Sequence, residues 1–183
     1  MTGVASRADE AVVVDPLTVV ALETERYVAA SGWDQPIRLF ALVDTGELLE
    51  REPQLASGLS AADRAPGALT AIEQDGMPPT AEVFDLLSQI AWPDEVAGAA
   101  IAVERIVVPP EAERDLPEDP AAALGALAAH PDRRDIRLLV AVDRSGGSVC
   151  LLRQRDHDRD DRVATGPDLA PGLVAALRAT LES

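Results

Sequence analysis

The sequence contains no lysine: all sixteen of its basic residues are arginine. That absence excludes a Schiff-base lysine, a phosphate-loop lysine and an acetylation switch. Aromatic residues make up only 3%, so the core must be assembled from Leu, Val, Ile and Ala, and stacking surfaces for bases or sugars are scarce. Positive charge is short as well. Thirty-two acidic residues outweigh the sixteen arginines, and the formal net charge of -16 repels phosphate backbones and anionic lipid surfaces. Neither a nucleic acid nor a membrane is expected as a partner. A single cysteine, Cys150, allows no internal disulfide, and in mid-strand between valine and leucine it reads as a small buried hydrophobe rather than a nucleophile. No apolar run reaches transmembrane length, and the opening stretch MTGVASRADEAVVVDP lacks the basic n-region and long h-region of a signal peptide. The expected location is the cytoplasm.

What is present is a foldable chain. Its 183 residues, 47% of them apolar, suit one domain with a core that needs no staples. The best-marked stretch is Ile136 to Arg153, where two runs of branched aliphatics flank Ser145-Gly146-Gly147, a β-hairpin with glycines for the positive dihedrals of the turn. Both arms carry apolar residues on both faces, as in a sheet covered by helices. Residues 1–14 read as a flexible lead-in to a single domain over 15–183. Asp15-Pro16 then caps a helix carrying Leu17, Val20, Ala21, Thr24, Tyr27 and Val28 as far as Gly32. Arg38 to Val43 is a buried strand, Glu47 to Arg51 a short helical turn and Ala68 to Glu73 a weaker strand. Thr80 can cap a helix with Val83, Phe84, Leu87 and Ile90 on one stripe, stopped at Trp92-Pro93. Val96 to Val108 reads as a long strand, Glu111 to Asp119 as an exposed acidic connection, and Asp119-Pro120 opens an Ala-rich helix to His130. A charged stretch, Arg155 to Arg162, precedes a last helix with Leu173, Val174, Leu177 and Leu181. The order α-β-β-α-β-α-β-β-α predicts an α+β domain, with about five strands in a mixed or antiparallel sheet and helices packed on it.

No constellation carries chemistry strongly. Ala41-Leu42-Val43-Asp44-Thr45-Gly46 looks like the Asp-Thr-Gly signature of aspartic proteases, but it occurs once where two carboxylates are needed, and Asp44 equally caps the turn that follows. Asp156, Asp158, Asp160 and Asp161 alternate as hard-cation ligands do, yet Asp161 stands where the sharp-turn glycine of a calcium loop belongs and Pro167 where its bidentate glutamate belongs. Arg155, Arg159 and Arg162 also neutralise that loop, which favours a solvated, self-paired segment. His130, before Pro131, sits where an imidazole favours a helix C-terminus. His157 lies in the charged stretch. No serine stands in a nucleophile elbow, and no phosphate-binding glycine motif is present. These residues assign no catalytic, cofactor or metal site.

Contact residues are the better candidates. Arg133, Arg134 and Arg137 form the one basic cluster of an acidic chain, either paired with Asp132 and Asp135 or open to an anion or acidic partner. Trp33 and Trp92 each end an element beside an acidic turn, packed on the core edge or, if exposed together, serving as interface anchors. Four blocks, WDQPIRLFALVDTGELL, AWPDEVAGAAIAVERIVVPPE, HPDRRDIRLLVAVDR and GPDLAPGLVAALRATL, span nearly the whole chain. In them the sequence resembles an actinobacterial family of conserved proteins of unknown function that bears a locus-tag name. The resemblance implies an intracellular actinobacterial protein, in keeping with the GC-rich reading of an Ala-rich, lysine-free chain, and it transfers no site residues. The element order is also similar to that of small acidic secretion chaperones, which dimerise and hold partner segments. The leading expectation is a non-enzymatic protein-interaction or chaperone-like module that binds a protein partner or a second copy of itself. The alternative is a small-molecule-binding or metal-dependent enzyme with a pocket near Asp44, His130 or the Asp156 to Asp161 loop.

Overall fold

Helix α1 (Pro16–Ala29) starts where Asp15 and Pro16 predict, with the Asp15 carboxylate accepting from the Thr18 backbone N–H at 3.2 Å. Residues 14–60, 62–79, 82–166 and 169–182 are described by a computed structural model; the expected lead-in lies almost wholly outside them. Leu17, Val20, Ala21, Thr24, Glu25 and Val28 form the buried stripe of α1. Tyr27, expected on that stripe, is 56% exposed; its ring stands edge-on to Phe40 and beneath the Arg38 guanidinium. The helix ends at Ala29, and Gly32 takes the positive φ of +82° that turns the chain toward the sheet.

The strands are β1 (Arg38–Asp44), β2 (Leu69–Glu73), β3 (Gly98–Val107), β4 (Arg134–Asp143), β5 (Ser148–Gln154) and β6 (Ala164–Thr165). They form one antiparallel sheet in the order β2-β1-β3-β4-β5-β6. The fold is therefore α+β, as expected, with the antiparallel alternative realised and six strands in place of five. The sixth is a two-residue edge within what reads as loop. It pairs only with Leu151 and Leu152, too short to leave a periodic signal. The hairpin turn is held by Asp143, whose side chain accepts from Gly147 N–H at 2.7 Å and from the Ser145 hydroxyl at 2.8 Å.

Alternation along the strands makes two cores. Phe40, Leu42, Ala100, Ala102, Leu139, Ala141 and Leu151 lie beneath α1. Leu39, Ala41, Ala99, Ile101, Leu138, Val140 and Cys150 face α3 (Val83–Ser88) and α6 (Pro171–Glu182) on the other side. Each fully buried Leu contributes roughly 1.5–3 kcal/mol, and alanines along β3 let helices approach from both faces. Thr80, the expected cap of α3, lies outside the described residues; Glu82 caps the helix instead, accepting from Phe84 N–H and Asp85 N–H. Between the strands run α2 (Thr45–Arg51), α4 (Pro110–Arg114) and α5 (Pro120–Ala129). α4 occupies part of the segment that reads as an exposed connection, because Pro110 preorganises a first turn. Among the described residues no helix is long and apolar enough to cross a membrane.

At Gly98, where β3 lies between β1 and β4, an added Cβ collides with the Val142 carbonyl and reaches 3.3 Å from the Leu42 side chain. Gly98→Ala is expected to cost about 2 kcal/mol through overpacking, read as a lower urea midpoint with unchanged slope. An unchanged midpoint would contradict this strand spacing.

Candidate functional site

Of the basic cluster only Arg137, together with Trp33, is drawn into a charged network beneath α1. Glu25, on the buried stripe, receives Arg153 in a bidentate pair at 2.6 and 2.9 Å, with both side chains 3% exposed. Arg153 also donates to Asp158 at 2.9 Å and Asp160 at 2.6 Å, which pins the loop after β5 onto the sheet. These carboxylates, Glu25 foremost, hold the guanidinium far above its ordinary pKa. Across the ladder Arg153 stands opposite Arg137, and Arg137 opposite Glu104. Arg137 is buried, donates to Glu104 at 2.9 Å and to the Gly32 carbonyl, and lies 4.4 Å from the centre of the Trp33 ring. Its Nε and Nη1 have no hydrogen-bond partner, and the indole π-face supplies the compensating attraction. The Trp33 ring N–H donates to Asp158 at 2.9 Å, and this bond, with Arg153 behind it, holds the Asp158 carboxyl below its ordinary pKa. The second Glu104 oxygen accepts from the backbone N–H groups of Asp34 and Gln35, fixing the turn in which Asp34 adopts a φ of +64°.

The other sequence candidates are dispersed. Trp92 is half-buried on the opposite face, donating to the Thr180 hydroxyl at 3.0 Å, so the structure does not bring the two tryptophans together. Arg133 donates to the Ala128 carbonyl and lies 3.9 Å from Asp135. Arg134 turns to the α6 side and donates to Gln154 at 3.3 Å. The Asp44 carboxylate caps α2 through Glu47 N–H at 3.0 Å. His130 ends α5, where its Nδ1 accepts from Asp132 N–H at 3.1 Å. In the Asp156 to Asp161 loop, His157 pairs with Asp156 and Arg159 with Asp161. Among the described residues no group of three or more His, Cys, Asp or Glu side chains converges to hold a metal ion.

Sequence reasoning did not single out the open end of the α3/α6 face. There a groove of about 520 Å³ has a floor of Val107, Ile136, Leu138 and Leu152. Its walls are Phe84, 44% exposed, and Leu169, 41% exposed. Because Glu82 caps α3, Val83 and Leu87 enter the core and Phe84 is turned outward, across Gly172 at the start of α6. Arg105 and Arg134 stand on the rim. Neither makes an ion pair with a described residue, although Asp156 feels the charge of Arg134. Phe84 was readable as part of an apolar stripe, but its outward turn depends on which residue caps the helix. A model of the family described as PPA1309-like protein matches residues 17–182, so the chain belongs to that family. Comparison with curated proteins and with solved structures finds no match.

Two outcomes follow from this network and from the separate pair of Arg38 on β1 with Glu73 on β2 at 2.6 Å. Glu25→Ala leaves the Arg153 charge without its buried partner and is expected to cost about 3–5 kcal/mol. Glu25→Leu combined with Arg153→Met should recover much of this loss in chemical unfolding, because an apolar pair needs no desolvation of charge. The pH dependence has a definite sign. Asp158, held low by Trp33 and Arg153, and Glu73, held low by Arg38, contribute stability that is fully present above their unfolded values of about 3.9 and 4.3. It is lost as pH falls through their lower folded values. Melting temperatures between about pH 5 and 3 should fall less steeply in Asp158→Asn and Glu73→Gln than in the parent. Parallel curves would contradict the pairing.

Proposed function

We propose that this member of the PPA1309-like family is a non-enzymatic binding module that holds an apolar protein segment carrying carboxylates in the groove bounded by α3, α6 and the ends of β3, β4 and β5. The observation that carries the reading is an apolar groove between Phe84 and Leu169 rimmed by Arg105 and Arg134, two arginines that make no ion pair with a described residue, in a chain of net charge -16. Desolvated aromatic and aliphatic anchors supply most of the energy of such contacts, while rim charges select the partner and speed the encounter. Phe84 and Leu169 are anchors of that kind, and the arginines favour a segment with acidic residues.

Geometry gives less support to an enzyme. Asp44 lies at the end of β1 that pairs with Leu69, whereas the Asp156 to Asp161 loop follows the opposite end of the sheet, and each is engaged in local bonds. A general acid or base needs both reach and a free proton site, and these groups stand at opposite ends of the sheet.

The reading is tested in host cells with a photo-crosslinking amino acid placed at Phe84 or at Tyr27, both exposed aromatics on opposite faces of the sheet. A discrete adduct from position 84 and none from position 27 is expected. The reverse pattern, or no adduct from position 84, would overturn the groove as the binding surface.

A further inference from the structure

α5 (Pro120–Ala129), PAAALGALAA, contains no charged side chain and yet has no buried residue. Leu124 is 61% exposed. A helix that is apolar all round is ordinarily enclosed, so this one lacks a cover. It leans on the sheet by one edge. Between Leu124, Leu127, Ile106, Ile136 and the Trp33 ring lies a cavity of about 410 Å³. Arg105 and Ile136 border both this cavity and the groove, so α5 and the groove lie side by side around the end of the sheet.

We infer that two copies of the chain pair about a two-fold axis, with α5 of each seated in the groove of the other. Resting on the groove as a binding site, the pairing adds its occupant. The match is chemical. α5 is a narrow helix, six of its ten residues alanine and about 15 Å long, which can lie close on a floor of aliphatic side chains while Leu124 and Leu127 fill it. It is led in by Glu118 and Asp119, whereas the groove rim carries Arg105 and Arg134. Asp119 uses one carboxylate oxygen to cap Ala122 N–H and keeps the other for an arginine. Reciprocal seating covers both exposed apolar surfaces at once and closes the assembly at two copies, as an isologous interface must.

The test is light scattering of the full chain over a concentration series. The parent should be a dimer. Leu124→Asp, at an exposed position that leaves the fold intact by circular dichroism, should weaken association at least about 100-fold. Arg105→Glu should weaken it too, and adding Glu118→Arg in the same chain should restore it. In an oxidised equal mixture of Leu124→Cys and Phe84→Cys chains, with Cys150 buried, the disulfide between the two kinds of chain should dominate. A parent that is monomeric throughout, a dimer indifferent to Leu124→Asp, or a disulfide formed only between Leu124→Cys chains would each overturn the pairing. A monomer whose position-84 crosslinker still captures another protein would overturn the pairing and leave the groove in place. A monomer with no capture would remove both.

Discussion

The bidentate pair of Glu25 and Arg153 beneath α1 is the constraint on which the remaining geometry depends. Bringing two charges out of water costs several kcal/mol per ion, offset only when the remaining donors are also satisfied. Here Asp158 and Asp160 take the other donors of Arg153, the Trp33 ring N–H takes the second oxygen of Asp158, and the ring covers Arg137. The pair therefore places α1 along the sheet, fixes the turn after it and holds down the acidic loop. Asp158 and Asp160, which look like part of a cation loop, and Trp33, which looks like an interface anchor, are engaged by Arg153 and Arg137.

The groove lies on the other face of the sheet. β4 has ten residues and spans about 33 Å, whereas the twelve residues of α6 span about 18 Å. α6 is tied at its C-terminal end, where the Leu181 carbonyl accepts from Arg144, and its N-terminal turn reaches Leu173 above Leu138. The strand ends beyond that point, with Ile136, Val107 and Leu152, receive no helix of their own. The groove lies where a short helix stops before the end of a long sheet, leaving Val107 and Leu152 only partly buried, and α5 beside it is a short apolar helix with no buried residue. These two features are what the proposed contact surface rests on.

Much of this architecture was legible because local signals agreed with the fold. Asp15-Pro16 and Asp119-Pro120 open helices, Gly146 turns the hairpin, and β3 and β4 read as long apolar runs. The network was readable in principle: Glu25 falls on the stripe of Ala21 and Val28, and Arg137 and Arg153 alternate in phase with Leu139 and Leu151. It was missed because charge at such positions looks like exposure until its partners, over a hundred residues apart for Glu25 and Arg153, are brought together. β6 was too short to show a period. The groove was hidden for a different reason, since Val107, Leu138 and Leu152 have the same hydropathy whether a helix covers them or not. Coverage is a property of helix length and placement, not of the strand sequence.

The most direct test of the open end of the sheet as a contact surface is solvent paramagnetic relaxation of leucine methyl groups, recorded on the protein alone and in host extract. Leu55, exposed on the short 3-10 helix Pro53–Gly58 and not among the groove's lining residues, serves as the reference. Leu124 and Leu169, both exposed in the single chain, are expected to relax much more slowly than Leu55 at high concentration or in extract and to approach it on dilution into buffer. Relaxation of both as fast as that of Leu55, at every concentration and in extract, would contradict the contact surface.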